Sequence, residues 1–124
     1  MTRPDYTGEQ NAAIETVDRS VVVTAAAGAG KTTVLAGRCA HLVCDLPPAK
    51  RCSVEQLLVV TFTEAAASEM RSRIHKVIRA RLADRPHDGW LRTQLALIDT
   101  AQISTVHAFC LWVVRRWFHL VGVD

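Results

Sequence analysis

The chain has 124 residues, of which 49% are hydrophobic and 22% charged, with a formal net charge of +3. This balance predicts one soluble globular domain with a modest core. No apolar run approaches the roughly 20 residues that cross a bilayer, and residues 1–10 are too polar for a signal peptide, so we expect a cytoplasmic protein with no membrane partner.

The first half of the chain predicts helix, strand, helix and strand in that order. Thr7 to Gln10 has the form of a capping box and opens a predicted helix from Gly8 to Asp18. The β-branched run SVVVTA, residues 20–25, precedes a Gly-rich turn and is typical of a buried parallel strand. We expect next a helix over Lys31–Val43, a surface loop over Asp45–Ser53 and a second buried strand over Leu57–Phe62.

The second half continues the alternation. From Glu64 to about Ala83, apolar residues recur at steps of three and four, which predicts a long amphipathic helix. A break at Arg85–Gly89 precedes a helix over Trp90–Ile98, a short strand over Ala101–Ser104 and a last helix over Thr105–His119. Strands alternating with helices predict a parallel, doubly wound α/β sheet.

The segment AAAGAGKT lies between a predicted strand and a predicted helix, which is the context of a phosphate-binding P-loop. Gly28 and Gly30 allow positive φ and a close approach of backbone N–H groups to an anion. Lys31 would reach the β- and γ-phosphates, and the Thr32 hydroxyl would bind Mg²⁺. The general motif has Gly where this chain has Ala25, and a Gly-rich helix cap is the alternative, although it leaves Lys31 unexplained. The predicted residues for ATP and Mg²⁺ are Ala25, Ala26, Ala27, Gly28, Ala29, Gly30, Lys31, Thr32 and Thr33.

The four cysteines show no C-x-x-C pair. This spacing favours reduced structural thiols at Cys39, Cys44, Cys52 and Cys110. A zinc or iron-sulfur site built from the first three stays open as the alternative.

Three further segments accompany the P-loop: Thr7–Gln10, TFTEAAASEMRSRI at Thr61–Ile74 and ISTVHAFC at Ile103–Cys110. Together they resemble superfamily 1 DNA helicases of the UvrD and RecB type, and most closely the AddA helicase-nuclease family. The resemblance covers nearly the whole chain. It implies a RecA-like P-loop NTPase fold, in which residues 1–124 form the N-terminal part of the ATP-binding motor domain 1A.

The same resemblance implies roles for five more residues. Gln10 would read the adenine edge, with a plain capping residue as the alternative. Phe62 would stack on a base of single-stranded DNA, or else end a buried strand, and Thr63 would bond a backbone phosphate. Thr105 and His107 match a T-x-H motif that lies near DNA and the nucleotide cleft in the family, with a structural histidine as the alternative. The arginines from Arg71 to Arg81 fit either a solvated helix face or an extension of the DNA track.

Hydrolysis of ATP needs an acidic pair and an arginine beside the γ-phosphate, and no adjacent Asp-Glu pair occurs in the chain. Asp99 follows an apolar run, but Thr100 stands where the second acid of a Walker B motif belongs. We therefore expect the chain to end before Walker B, the arginine fingers and the second motor domain. Turnover by this chain alone should be barely detectable.

Three functions remain under consideration. The first is the ATP-binding portion of a 3′-5′ DNA helicase of double-strand break repair and recombination, acting on single-stranded DNA or DNA ends, with an AddB-like protein as its partner. The second is an inactive nucleotide- or DNA-binding module or truncated gene product. The third, a small P-loop kinase or ATPase, is less favoured because residues 61–74 resemble a helicase motif instead of a lid.

Overall fold

A computed structural model describes residues 5–26, 28 and 30–122. Within these ranges, the α-helices are α1 Gly8–Glu15, α2 Lys31–Ala40, α3 Glu64–Asp84, α4 Gly89–Leu97 and α5 Val106–Val121. The strands are β1 Leu58–Thr61 and β2 Gln102–Thr105, and short helical turns lie at His41–Asp45, Val54–Gln56 and Ile98–Thr100. None of the described helices combines the length and apolar character that crossing a membrane requires.

The predicted capping box opens α1. The Thr7 hydroxyl accepts a hydrogen bond from the Gln10 backbone N–H at 3.3 Å, and the Gln10 side-chain oxygen accepts one from the Thr7 N–H at 2.9 Å. These bonds satisfy N–H groups that have no partner inside the helix. The start of the first predicted helix is therefore confirmed, although α1 ends at Glu15 instead of Asp18.

One arginine of α2 holds the end of α1. Arg38 donates from Nη1 to the carbonyl oxygens of Ala13 at 2.7 Å and Thr16 at 2.5 Å. The last carbonyls of a helix lack partners within it, and a cation there also complements the negative end of the helix dipole. Arg38 thus fixes α1 against α2.

The predicted strand over residues 20–25 is not formed. Val22 is 88% exposed, and no backbone group of residues 20–26 bonds another backbone group among the described residues. The β-branched run favours extended backbone, but a strand also requires a neighbour for its N–H and C=O groups. In the described part of the chain, β1 and β2 pair with each other and neither pairs with this segment.

The other two predicted strands are confirmed, although β1 is shorter than the predicted Leu57–Phe62 and β2 begins and ends one residue later than the predicted Ala101–Ser104. β1 and β2 run parallel, in a register that pairs Leu58 with Gln102 and Thr61 with Thr105. Only one face of β1 is buried, through Val59, because α3 covers that face and the other lies open. The described residues therefore form a two-stranded parallel sheet with helices beside it, and not the doubly wound sheet that we expected.

The long helix α3 is confirmed over Glu64–Asp84 and forms the centre of the core. Its side chains Met70, Ile74 and Ile78 are buried against β1, β2 and α4. The three- and four-residue apolar spacing in the sequence therefore marks the face that packs.

Two arginines of α3 fit neither a solvated face nor a DNA track, the two interpretations that the sequence left open. Arg71 donates to the carbonyl oxygens of Ile98 at 2.9 Å and Ile103 at 3.0 Å, and Arg81 pairs with Asp45 at 3.0 Å. Both side chains serve the fold, since they satisfy carbonyls or a carboxylate that packing has removed from water. Arg79 remains exposed on the same helix.

The cysteines differ in burial. Cys39 and Cys44 lie in the core, Cys52 is half-buried and Cys110 is exposed. Burial raises the pKa of the Cys39 thiol to about 11 and that of Cys44 to about 12. Desolvation disfavours the thiolate, so both groups stay protonated and unreactive near neutral pH.

Candidate nucleotide site and nucleic-acid edge

The loop before α2 has the backbone that its glycines predict. Gly28 and Gly30 have φ values of 82° and 81°, in the left-handed region. Gly30 also caps α2, because its carbonyl accepts from the Val34 N–H at 2.9 Å. Successive turns of this kind direct backbone N–H groups towards one point, which suits an anion. Ala27 and Ala29, also predicted to bind nucleotide, lie outside the described residues.

Lys31 lies across the loop, as its Nζ donates to the carbonyl oxygen of Ala25 at 3.0 Å. A phosphate in the loop would compete with this neutral acceptor and form a stronger, charge-assisted bond. Thr32 is exposed in the first turn of α2, and its hydroxyl makes no hydrogen bond among the described residues. Ala25 and Ala26 are also exposed. The cation and the hydroxyl are therefore accessible to a ligand in the loop.

Gln10 reaches the loop while it caps α1. Its Oε1 accepts from the Thr7 N–H, whereas its Nε2 lies 3.3 Å from the position that a β-carbon on Gly30 would occupy. Capping and facing the cleft use different atoms of one amide. The two interpretations of Gln10 that the sequence left open are therefore compatible.

A cavity of about 280 Å³ joins these groups. Gln10 lies on its wall together with Lys31, and Ala13, Val23 and Val34 supply apolar surface. The volume is near the lower end of the usual range for ligand sites. An apolar wall suits a base and the loop with Lys31 suits phosphates, so the residues present fit a nucleotide.

Thr33 faces α3. Its Oγ1 accepts a hydrogen bond from Arg73 Nη1 at 3.0 Å, and Arg73 forms a salt bridge with Glu69 at 2.7 Å. Sequence reasoning missed Arg73 as a neighbour of the phosphate loop. The spacing of four residues between Glu69 and Arg73 predicts a pair along one helix face, but it does not reveal what else the guanidinium touches.

The predicted DNA-contacting residues follow the two strands at one sheet edge. Phe62 and Thr63 come after β1, while Thr105 ends β2 and His107 lies just beyond it. The carboxyl ends of β1 and β2 coincide, because Thr61 pairs with Thr105. Parallel sheets bind ligands at this edge.

The side chains at this edge differ in exposure. Phe62 is 96% exposed, so the alternative of a buried strand end is wrong. Thr63 is exposed and caps α3 by accepting from the Ala66 N–H at 3.1 Å. His107 is exposed in the first turn of α5. Thr105 is 7% exposed and caps α5 by accepting from the Ala108 N–H at 3.0 Å, so its side chain is largely shielded from solvent.

The described residues support neither Asp99 as a Walker B aspartate nor a metal site built from the cysteines. Asp99 is exposed in the turn before β2, at the opposite end of that strand from Thr105. A Walker B aspartate instead follows a strand, at its carboxyl end. Within the described ranges, no three His, Cys, Asp or Glu side chains cluster as a metal site would require.

Comparison with known proteins identifies a family that the chain matches. The UvrD/REP helicase N-terminal domain matches residues 6–124. Subunits of the bacterial ATP-dependent helicase/nuclease are similar along nearly the whole chain: that of Desulforamulus reducens is 46% identical over 124 residues, which are 100% of this chain and 10% of the relative. That of Moorella thermoacetica is 48% identical over 120 residues, 97% of this chain and 8% of the relative. The chain thus spans a tenth or less of the length of these relatives.

Proposed function

The chain belongs to the UvrD/REP helicase N-terminal domain family, and from that premise we propose that it is the ATP-binding portion of a 3′-5′ DNA helicase of double-strand break repair and recombination. In this proposal residues 1–124 are the first part of motor domain 1A. The observation that carries it is that Gln10 and Lys31 line one cavity, with Gly30 of the loop beside the Gln10 amide.

Each residue of the loop has a distinct part in holding ATP. The N–H groups that follow the left-handed Gly28 and Gly30 bind phosphate oxygens, and Lys31 exchanges the Ala25 carbonyl for the β- and γ-phosphates. The Thr32 hydroxyl would be a ligand of Mg²⁺. Gln10 Nε2 donates to a ring nitrogen of adenine, and Oε1 accepts from the adenine amino group with the lone pair that the Thr7 bond leaves free, which favours ATP over GTP because guanine has an oxygen in place of that amino group. The bound nucleotide supplies the phosphoryl group whose hydrolysis drives such motors.

The DNA-facing part of the proposal rests on the sheet edge. The exposed Phe62 stacks on a base of single-stranded DNA, and Thr63 contacts a phosphate with the hydrogen-bonding capacity that its cap leaves free. His107 lies at the same edge. The relatives are each one component of a helicase/nuclease complex, so we also propose an AddB-like partner, with DNA ends as substrate.

A second candidate is a nucleotide- and DNA-binding module without turnover. It is favoured by the lack of an adjacent Asp-Glu pair and by the position of Asp99 before β2. Under either proposal this chain alone hydrolyses ATP poorly, since a general base contributes about 100- to 10,000-fold to a rate.

Binding of a fluorescent ATP analogue with Mg²⁺ tests the function. We expect Lys31→Ala to weaken binding at least about tenfold through the lost charge-assisted bonds, while Lys50→Ala, which removes an exposed lysine of the distant loop, leaves binding unchanged. Phosphate release is followed in the same samples with and without single-stranded DNA.

The outcomes test the nucleotide site that both candidates share and whether this chain turns ATP over. Binding that depends on Lys31, with negligible release, supports a nucleotide cradle that is incomplete for catalysis. DNA-stimulated release that disappears in Lys31→Ala would show that this chain completes its own acidic site. Equal binding by wild type, Lys31→Ala and Lys50→Ala would refute nucleotide binding in the loop.

A further inference from the structure

We propose that Arg73 is a positioning residue that joins the first turn of the nucleotide-binding helix α2 to the DNA-facing helix α3, and so links the two ligands energetically. This inference rests on the proposed function. It assigns to α3 a role that its sequence motif alone does not reveal, since α3 contacts the P-loop helix through a side chain nine residues beyond its own start at Glu64.

The guanidinium of Arg73 is held by two partners at once. Its Nε and Nη2 donate to Glu69 Oε1 at 2.9 and 2.7 Å, which leaves Nη1 to donate to Thr33 Oγ1 at 3.0 Å. A planar guanidinium with a carboxylate on one side has a fixed orientation. Glu69 therefore aims Arg73 at Thr33.

Thr33 lies where a small displacement affects the phosphate site. It follows Lys31 and Thr32 in the first turn of α2, and the next residue, Val34, is buried. Holding the Thr33 hydroxyl fixes the rotation of this turn about the helix axis. The directions of Lys31 and Thr32 are thereby fixed as well.

Helices α2 and α3 lie side by side and run the same way. The contact of Arg73 with Thr33 is followed, further along α3 and in the turn after α2, by the pair of Arg81 with Asp45, in the same chain order. Arg73 is the tenth residue of α3, whereas Thr33 is the third of α2. At 1.5 Å per residue, α3 therefore begins about 10 Å beyond the start of α2, and that projecting end follows Phe62 and Thr63.

The ion pair of Arg73 with Glu69 contributes little to the stability of the fold. The side chains of Arg73 and Glu69 are 41% and 55% exposed, and ion pairs of such exposure contribute little to folding. Its effect is instead to orient the Arg73 guanidinium towards Thr33. A force on the projecting end of α3 reaches Thr33 through Arg73, and by linkage a nucleotide that orders this turn alters the affinity for DNA by the same factor in both directions.

A double-mutant cycle in the full chain tests this role, with a fluorescent ATP analogue, Mg²⁺ and a labelled oligothymidine as probes. We expect Arg73→Ala and Thr33→Val each to weaken analogue binding by about three- to tenfold, and the double variant to be no weaker than either single one. Thr33→Ser, which keeps the acceptor oxygen, should bind the analogue with the wild-type affinity. Arg79→Ala, which removes an exposed arginine of the same helix, leaves it unchanged.

A second readout is the ratio of oligothymidine affinities with and without the analogue. We expect this ratio to move towards one in Arg73→Ala and Thr33→Val but not in Arg79→Ala. Far-UV circular dichroism accompanies each variant. Should Arg73→Ala unfold, the Thr33→Val and Thr33→Ser pair carries the decision, because these changes leave charge and helix spacing intact.

The failures are distinguishable. Binding that depends on Lys31 but is unaffected by Arg73→Ala and Thr33→Val overturns the positioning role alone. Additive losses in the double variant also overturn it, because Arg73 would then act other than through Thr33. If wild type and Lys31→Ala bind the analogue equally, the proposed function and this inference are overturned together.

Discussion

Gly30 meets two constraints at a single residue. Its φ of 81° is strained for any L-residue with a side chain, and a β-carbon there would lie 3.3 Å from Gln10 Nε2. Gly28 has the same backbone strain, at φ 82°, but open space around it. The two positions therefore separate backbone strain from steric contact.

We expect Gly28→Ala to destabilise the chain by about 1 kcal/mol, from left-handed strain alone. Gly30→Ala should cost about 2 kcal/mol and also weaken binding of the ATP analogue, since the Gln10 amide must shift by a few tenths of an ångström. Urea unfolding and analogue titration measure the two effects. Equal losses for both variants, in stability and in binding, would mean that the contact with Gln10 has no consequence.

Residues of the candidate site were predictable where the backbone alone decides their role. The two glycines could be identified because the turn before α2 has positive φ at both positions, which glycine adopts without strain. Thr105 and Arg73 could not, because their roles depend on which distant or neighbouring group occupies their hydrogen-bonding atoms. A hydroxyl at a helix start serves its own helix first, which is what Thr105 does in α5.

At the scale of elements, the pair of Arg81 and Asp45 fastens the far end of α3 to the turn after α2. Their side chains are 10% and 13% exposed, and Asp45 also contacts Arg85 at 3.5 Å. We expect Arg81→Met to destabilise the chain by about 3 kcal/mol, because it removes the charge-assisted hydrogen bonds that Arg81 donates to the largely buried Asp45 carboxylate.

The matched control is Arg79→Met on the exposed face of the same helix, which should change stability by less than about 0.5 kcal/mol. The urea midpoints of the two variants, compared with wild type, provide the measurement. Equal midpoints for Arg81→Met and wild type would exclude the pair as a structural bond between these elements.

The elements themselves could be predicted where their pattern is local. Helical periodicity found α3, and the capping box found the start of α1, because both depend on residues within a few positions of one another. The strand expected at residues 20–25 failed for the opposite reason. A ladder requires a second chain segment, and β-branched composition cannot supply one.

For the whole molecule, buried thiols make the free energy of unfolding depend on pH in the alkaline range. Burial raises the pKa of Cys39 to about 11 and that of Cys44 to about 12, from an ordinary value of 9.0. Between about pH 9 and 12 the unfolded chain releases thiol protons that the folded chain retains. Unfolding then releases protons, and the free energy of unfolding falls as pH rises.

We expect the urea midpoint of wild type to decrease across this interval. Other groups titrate there too, so the variant Cys39→Ala/Cys44→Ala serves as the reference, and its decrease should be shallower. Parallel decreases for the two proteins would mean that both thiols ionise in the folded chain as readily as in the unfolded one.

Residues 20–25, which form no strand, also add an entropic cost to ligand binding, because a ligand must fix their backbone. Val23, Thr24 and Ala25 form one wall of the nucleotide cavity, yet no ladder bond holds them among the described residues. Fixing the backbone of a residue costs about 1–2 kcal/mol, and about 1.4 kcal/mol corresponds to a tenfold change in Kd. A strand paired beside residues 20–25 would thus tighten ATP binding through pre-organisation, without contacting the nucleotide.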